Sequence, residues 1–247
     1  MGADAWPLVR HVPLLGPDDV HVWQAALDAD EPTVSRLEAI LAPDERARAD
    51  RFHFQRDRRR FIVGRGYLRR LLGEYLSVAP SDVALAVTSL GKPQLAGEAA
   101  DRLRFNVAHS DDLALYAMTR GREVGIDVER ERPDIDWREL GRRFFAPEEV
   151  AALTALPSAE QRPAFYRCWT RKEAYIKALG RGMQMPLDGF AVTLNPDTAG
   201  LVHTAHDRDQ LARWELRPLT PAPGFAGAVA VEGRNWRLFC GRFAGDP

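Results

Sequence analysis

Residues 120–129 read Arg120-Gly121-Arg122-Glu123-Val124-Gly125-Ile126-Asp127-Val128-Glu129, a charged break followed by strict alternation. Successive side chains of a strand point to opposite faces, so Val124, Ile126 and Val128 share one face and Gly125, Asp127 and Glu129 the other. This stretch closes one series of elements and opens a second.

Before it, Asp19-Val20-His21-Val22-Trp23 alternates as a strand, and Pro32 to Leu76 carries apolar residues at helical spacing. One helix fits Leu37, Ile40 and Leu41. A longer one fits Phe61, Tyr67, Leu68, Leu71 and Leu72 and ends near Ser77-Val78-Ala79-Pro80. Strand signals follow at 83–87, 103–107 and 113–119, the last two joined by His109-Ser110-Asp111-Asp112 as a hairpin with a polar tip. After the break come the strand Val124 to Glu129, helical spacing over 147–156 and 160–179, and strands at 190–194, 214–216, 227–231 and 236–243. The repeated order predicts an α+β fold of two similar α/β subdomains related by a pseudo-twofold, 1–120 and 121–247. No sequence identity between the halves marks a formal repeat.

A chain of 247 residues with 45% hydrophobic and 28% charged residues is expected to bury a core as a globular protein. Its apolar runs are short, and Met1-Gly2-Ala3-Asp4-Ala5-Trp6 lacks the basic start and apolar run of a signal peptide, which predicts a cytoplasmic protein. Cys168 and Cys240 are too few for a disulfide framework and lack metal-ligand spacing, so buried free thiols are expected.

The net charge of −1 conceals a cluster: residues 46–70 hold ten arginines against Asp50 and Asp57. Such a segment fits an anionic ligand or a solvated helix face. The near-neutral total argues against a nucleic-acid binder.

On the 124–129 strand, Asp127 and Glu129 have Cα atoms ~6–7 Å apart, near enough to converge on one hard cation such as Mg²⁺. A polar strand end facing solvent fits the same pattern. On the 161–179 helix, Trp169, Glu173 and Lys177 recur at i, i+4 and i+8 and form one column. Glu173 and Lys177 fit a surface salt bridge, or a charged pair at the margin of the apolar stripe that takes another partner.

Gly125-Ile126-Asp127-Val128-Glu129 followed by Trp169-Thr170-Arg171-Lys172-Glu173-Ala174-Tyr175-Ile176-Lys177 resembles the paired signature of the Sfp-type 4′-phosphopantetheinyl transferase family. Gly91-Lys92-Pro93 and Phe105-Asn106-Val107-Ala108-His109-Ser110 stand upstream in the order of that family's Gly-Lys-Pro turn and Asn-(Ile/Val)-Ser-His-Ser segment. The resemblance runs from about Leu41 to Phe190.

It implies that fold, and a Mg²⁺-dependent transfer of the phosphopantetheine arm of coenzyme A to a serine of an acyl or peptidyl carrier protein. Asp127, Glu129 and Glu173 would hold the metal, with Glu173 as general base and Lys177 facing a phosphate oxygen. Lys92, His109 and Ser110 would grip the nucleotide of coenzyme A, with Arg48, Arg60 and Arg65 as further cations. A monomer that binds neither nucleic acid nor membrane is expected. Two residues depart from the family: Ala108 stands in place of a serine, and Glu45 where some relatives carry a phosphate-facing lysine. Arg142 and Arg143 are candidates to meet an acidic carrier helix, with Phe144 and Phe145 in the core.

Overall fold

The computed structural model describes residues 6–88, 91–180, 185–204 and 209–244, so the leading residues 1–5 lie outside it. Two sheets dominate. The first runs β1 (Leu8–Val9), β12 (Arg237–Phe243), β2 (Asp19–Ala26), β6 (Leu113–Thr119), β5 (Arg104–Ser110), and the second β10 (Trp214–Leu219), β11 (Phe225–Glu232), β7 (Val124–Arg130).

Alternation along these strands sorts the core into three layers. Val20 and Val22 of β2, Leu113, Leu115 and Ala117 of β6 and Val124, Ile126 and Val128 of β7 fill the space between the sheets. On the outer face of the first sheet, Trp23, Tyr116 and Met118 meet the 22-residue helix α3 (Gln55–Leu76) and α1 (Glu31–Ala39). On the outer face of the second, Ala226, Ala228 and Ala230 lie under the 22-residue helix α7 (Ser158–Leu179). The architecture is helix, sheet, sheet, helix, the expected α+β class.

The sheets also meet edge to edge where β5 adjoins β7, and there side chains take the place of a backbone ladder. The Ile126 N–H donates to Asn106 Oδ1 at 2.9 Å, deep in the interior.

Several expectations are corrected. His109 and Ser110 are not at a hairpin tip: β5 continues through Ser110, and the turn to β6 is the pair Asp111-Asp112. Asp111 has φ +50°, the left-handed backbone that two-residue hairpin turns require. The arginine-rich segment is split between α2 (Pro43–Ala49) and α3. The small strand β3 (Leu85–Val87) pairs with β4 (Pro93–Leu95), and α5 (Trp137–Phe144) forms where no helix was expected. Most consequentially, β12 lies in the first sheet, parallel to both β1 and β2, although it follows every element of the second half.

Cys168 is buried and Cys240 half-buried, both free thiols. Among the described residues, no helix is long and apolar enough to cross a membrane.

Candidate active site

The face of β7 opposite the inter-sheet core carries Gly125, Asp127 and Glu129, as the alternation predicts, and α7 lies directly on it. A Cβ at Gly125 would stand 2.0 Å from the Ala174 carbonyl oxygen and 2.3 Å from the Ala178 nitrogen, so only glycine admits the helix this near. Glu173 and Lys177, on the same helix, are thereby lowered toward the two strand carboxylates.

Lys177 does not pair with Glu173 as in a surface salt bridge; its Nζ donates to Asp127 Oδ1 at 2.6 Å. Asp127 is 4% exposed, and its Oδ2 is buried with no hydrogen-bond partner. Burial pushes the Asp127 carboxyl up while the Lys177 ammonium pulls it back. For Lys177, burial works against the charge, but Asp127, with Glu173 and Glu129, outweighs it and leaves the ammonium above its ordinary value.

Glu129 Oε2 accepts from Ser110 Oγ at 2.7 Å, and Ser110 Oγ in turn accepts from the Arg130 N–H at 3.1 Å. Burial, then the Asp127 charge, raises the carboxyls of both Glu129 and Glu173. Among the described residues, no three His, Cys, Asp or Glu side chains stand as a ready metal cage. Lys177 on Asp127 and Ser110 on Glu129 are the occupants. The buried, unpartnered Asp127 Oδ2, flanked by two further carboxylates that share its field, is the hard oxygen chemistry that Mg²⁺ takes, so the residues fit that ion.

Beside this cluster opens a cleft of about 670 Å³, lined on one wall by Arg48, Arg60 and Arg65 and on the other by His109. These four expected residues are thus brought together. Lys92 and Ser110 are not among the lining residues, although Gly91 and Pro93 are. Lys92 Nζ instead donates to the Lys177 carbonyl at 2.9 Å. Burial, then the Lys177 charge, lowers the His109 imidazole, with Asp127 opposing.

The three arginines are differently engaged. Arg60 grips Asp28 through Nε at 2.8 Å and Nη2 at 3.1 Å, and Arg65 Nε lies 3.5 Å from Glu45. Arg48 stacks over the Phe61 ring at 5.3 Å and has no carboxylate partner among the described residues. The cleft also presents Arg56 of the arginine cluster and Asp111 of the hairpin turn, together with Phe52 and Arg132, which carry no signal in the sequence. Arg132 Nη2 lies 2.7 Å from Asp111 Oδ1, a contact across the β5–β7 seam that no local pattern announces.

Residues 27–120 match the model of the 4′-phosphopantetheinyl transferase N-terminal region, and residues 123–231 that of the 4′-phosphopantetheinyl transferase superfamily. The 4′-phosphopantetheinyl transferase HetI of Nostoc sp. strain PCC 7120 is 42% identical over 221 residues, 89% of this chain and 90% of the relative. The chain belongs to the Sfp-type 4′-phosphopantetheinyl transferase family. The 4′-phosphopantetheinyl transferase Sfp of Bacillus subtilis strain 168 is 31% identical over 162 residues, 66% of this chain and 70% of that one. Among solved structures, Thermotoga maritima holo-(acyl-carrier-protein) synthase aligns with 46% of this chain and 64% of its own, at 21% identity and TM-score 0.36.

In this transferase the two departures from the family have structural roles. Ala108 is buried in the apolar layer between the sheets. Glu45 is also buried: its Oε2 accepts from Arg69 Nε at 2.5 Å and from the Ala42 N–H at 2.9 Å, closing the start of α2. Two residues inside the second signature are structural too. Lys172, 0% exposed, donates to Glu149 Oε1 at 2.8 Å and to the Phe190 carbonyl at 2.5 Å, and Arg171 donates to the carbonyls of Thr193 and Asn195, both at 2.6 Å. Phe145 is buried in the second core and Phe144 packs at its edge, while Arg142 and Arg143 are exposed on α5.

Proposed function

We propose that this transferase moves the phosphopantetheine arm of coenzyme A to a serine of an acyl or peptidyl carrier protein, in a Mg²⁺-dependent reaction where segments 1–120 and 121–247 meet. The observation that carries this reading is the division of labour between consecutive residues of β5. His109 lines the arginine cleft, whereas Ser110 turns to the other face and holds Glu129. A nucleotide seated in the cleft would run its pyrophosphate toward the carboxylates.

In this reading Arg48, Arg65, Arg60 and His109 hold the anionic nucleotide, while Ser110 holds Glu129 and Lys92 holds the last turn of the helix that carries Lys177. Asp127, Glu129 and Glu173 would hold Mg²⁺, which when bound neutralises pyrophosphate oxygens. A carboxylate oxygen of Glu173 takes the proton of the carrier serine hydroxyl. The serine oxygen then bonds to the phosphorus nearer the pantetheine, and the bond from that phosphorus to the bridging oxygen breaks, its electrons leaving with adenosine 3′,5′-bisphosphate. The raised Glu173 carboxyl makes it a better base than an exposed glutamate. Lys177 supplies positive charge in the same cluster for the oxygens of the transferred phosphate.

Arg142 and Arg143, exposed on α5, suit an acidic carrier helix. One chain supplies both cleft and carboxylates, so we read a monomer as sufficient, and the two free thiols accord with a reducing, cytoplasmic setting. The test is direct: the protein is incubated with coenzyme A, Mg²⁺ and several apo carrier proteins, and intact mass is recorded. A phosphopantetheine adduct on a carrier serine is expected; coenzyme A consumption without any adduct would overturn the reading.

A further inference from the structure

The Gly-Lys-Pro turn, expected to grip nucleotide, presents its lysine elsewhere. Lys92 Nζ donates at 2.9 Å to the backbone carbonyl of Lys177 in the last turn of α7, across the boundary between the two halves of the chain. The last four carbonyls of an α-helix have no partner within the helix, and a cation there also meets the negative end of the helix dipole. The same Lys177 carbonyl accepts the N–H of Gly180, which closes α7 in the left-handed conformation.

Lys92 is tied to Thr88. The Lys92 N–H donates to Thr88 Oγ1 at 3.0 Å, its carbonyl accepts from the Thr88 N–H at 2.9 Å, and Gly91 adopts φ +83°. Among the described residues no carboxylate lies within salt-bridge distance of the Lys92 ammonium. The acceptor shown for it is the helix carbonyl. Burial lowers this ammonium, with Glu123 opposing and Arg104 and Lys177 adding to the shift.

We infer that Lys92 is a positioning residue for Lys177: from the first half of the chain it clamps the last turn of α7, and so fixes where the Lys177 side chain meets Asp127. The backbone of Lys177 is held by Lys92 while its ammonium is held by Asp127, so the residue is fixed from both ends. Displacement of reacting groups by even about 1 Å can cost on the order of 100-fold in rate. The inference deepens the proposed function and, for its kinetic part, rests on it.

The test uses the full chain with Lys92→Ala and Lys92→Arg, kinetics with coenzyme A varied, coenzyme A binding by calorimetry, and amide hydrogen exchange of the ligand-free protein. For Lys92→Ala we expect kcat to fall about tenfold, with KM and Kd for coenzyme A within about twofold of wild type. Arginine, which can reach and donate to the same carbonyl, should restore most of kcat. In the ligand-free alanine variant, amides at residues 176–180 should exchange faster than in wild type while those at the start of α7 do not change. A rise of about tenfold in KM and Kd with kcat preserved would assign Lys92 to the nucleotide and overturn the inference. So would unchanged exchange at 176–180. Should wild-type protein load no carrier, the proposed function falls, whereas the exchange experiment on ligand-free protein still decides the Lys92 contact.

Discussion

Lys177 engages one carboxylate oxygen of Asp127, at 2.6 Å, and leaves the other buried and bare. Oδ2 is buried without a hydrogen-bond partner among the described residues, an arrangement that a stable interior avoids unless something else is to bind. Removing the carboxylate should therefore remove function before it removes the fold. Asp127→Ala and Glu173→Ala should each lower transfer by at least about 100-fold, with circular dichroism unchanged. Chelation should stop wild-type transfer and added Mg²⁺ restore it. Near-normal turnover in either variant would sink that residue's assignment.

Glu173 carries a stability cost that pH should expose. Burial and the Asp127 charge raise its folded pKa above the unfolded value, so the folded chain holds that proton more tightly. Stability then falls as pH rises through the interval between the two values and stays lower above it. Glutamine has no proton to lose. Glu173→Gln should melt at a higher temperature than wild type at neutral pH, with the gap closing below the ordinary carboxylate range, and be inactive. A lower melting temperature at pH 7 would mean the carboxylate is favourably held.

Gly125 tests the approach of helix to strand. The atoms that an added Cβ would strike belong to the backbone of α7, which cannot swing aside as a long side chain can. Gly125→Ala should destabilise by about 1–3 kcal/mol, the range of overpacked cores. Transfer should also drop, because the helix that bears Glu173 and Lys177 is pushed off β7. Denaturant melts and kinetics check both; unchanged values would show that α7 yields freely.

Arg48 and Arg60 line one cleft but are not equally available. Arg60 is already bound twice to Asp28, whereas Arg48 only stacks on Phe61. A hydrogen bond to a charged group contributes about 1.5–3 kcal/mol, so Arg48→Ala should raise KM for coenzyme A about tenfold or more with kcat preserved. Arg60→Ala should raise it less. Coenzyme A titrations decide, and a larger effect at Arg60 would reverse the ranking.

What could be read in advance was local and periodic. Alternation put Gly125, Asp127 and Glu129 on one face, and helical spacing joined Glu173 to Lys177; both hold. Alternation also runs through His109 and Ser110, but polar residues at a strand end look like a turn, which hides their place in β5. Lys172 and Arg171 were illegible for a different reason: a lysine in a helix is ordinarily solvated, and only the fold supplies Glu149 and the Phe190 carbonyl to enclose one. The Lys92 contact and the Arg132–Asp111 pair join segments distant in sequence, for which periodicity has no signal.

The placement of β12 governs how the chain reaches this state. Its partner β2 lies far upstream, as the Arg237–Asp19 contact spanning 218 residues shows. During synthesis the first sheet lacks an internal strand until residues 237–243 have left the ribosome, so this sheet is completed only after α7 has been made. Such distant pairing favours slow folding of the chain as one cooperative unit over piecewise folding during translation.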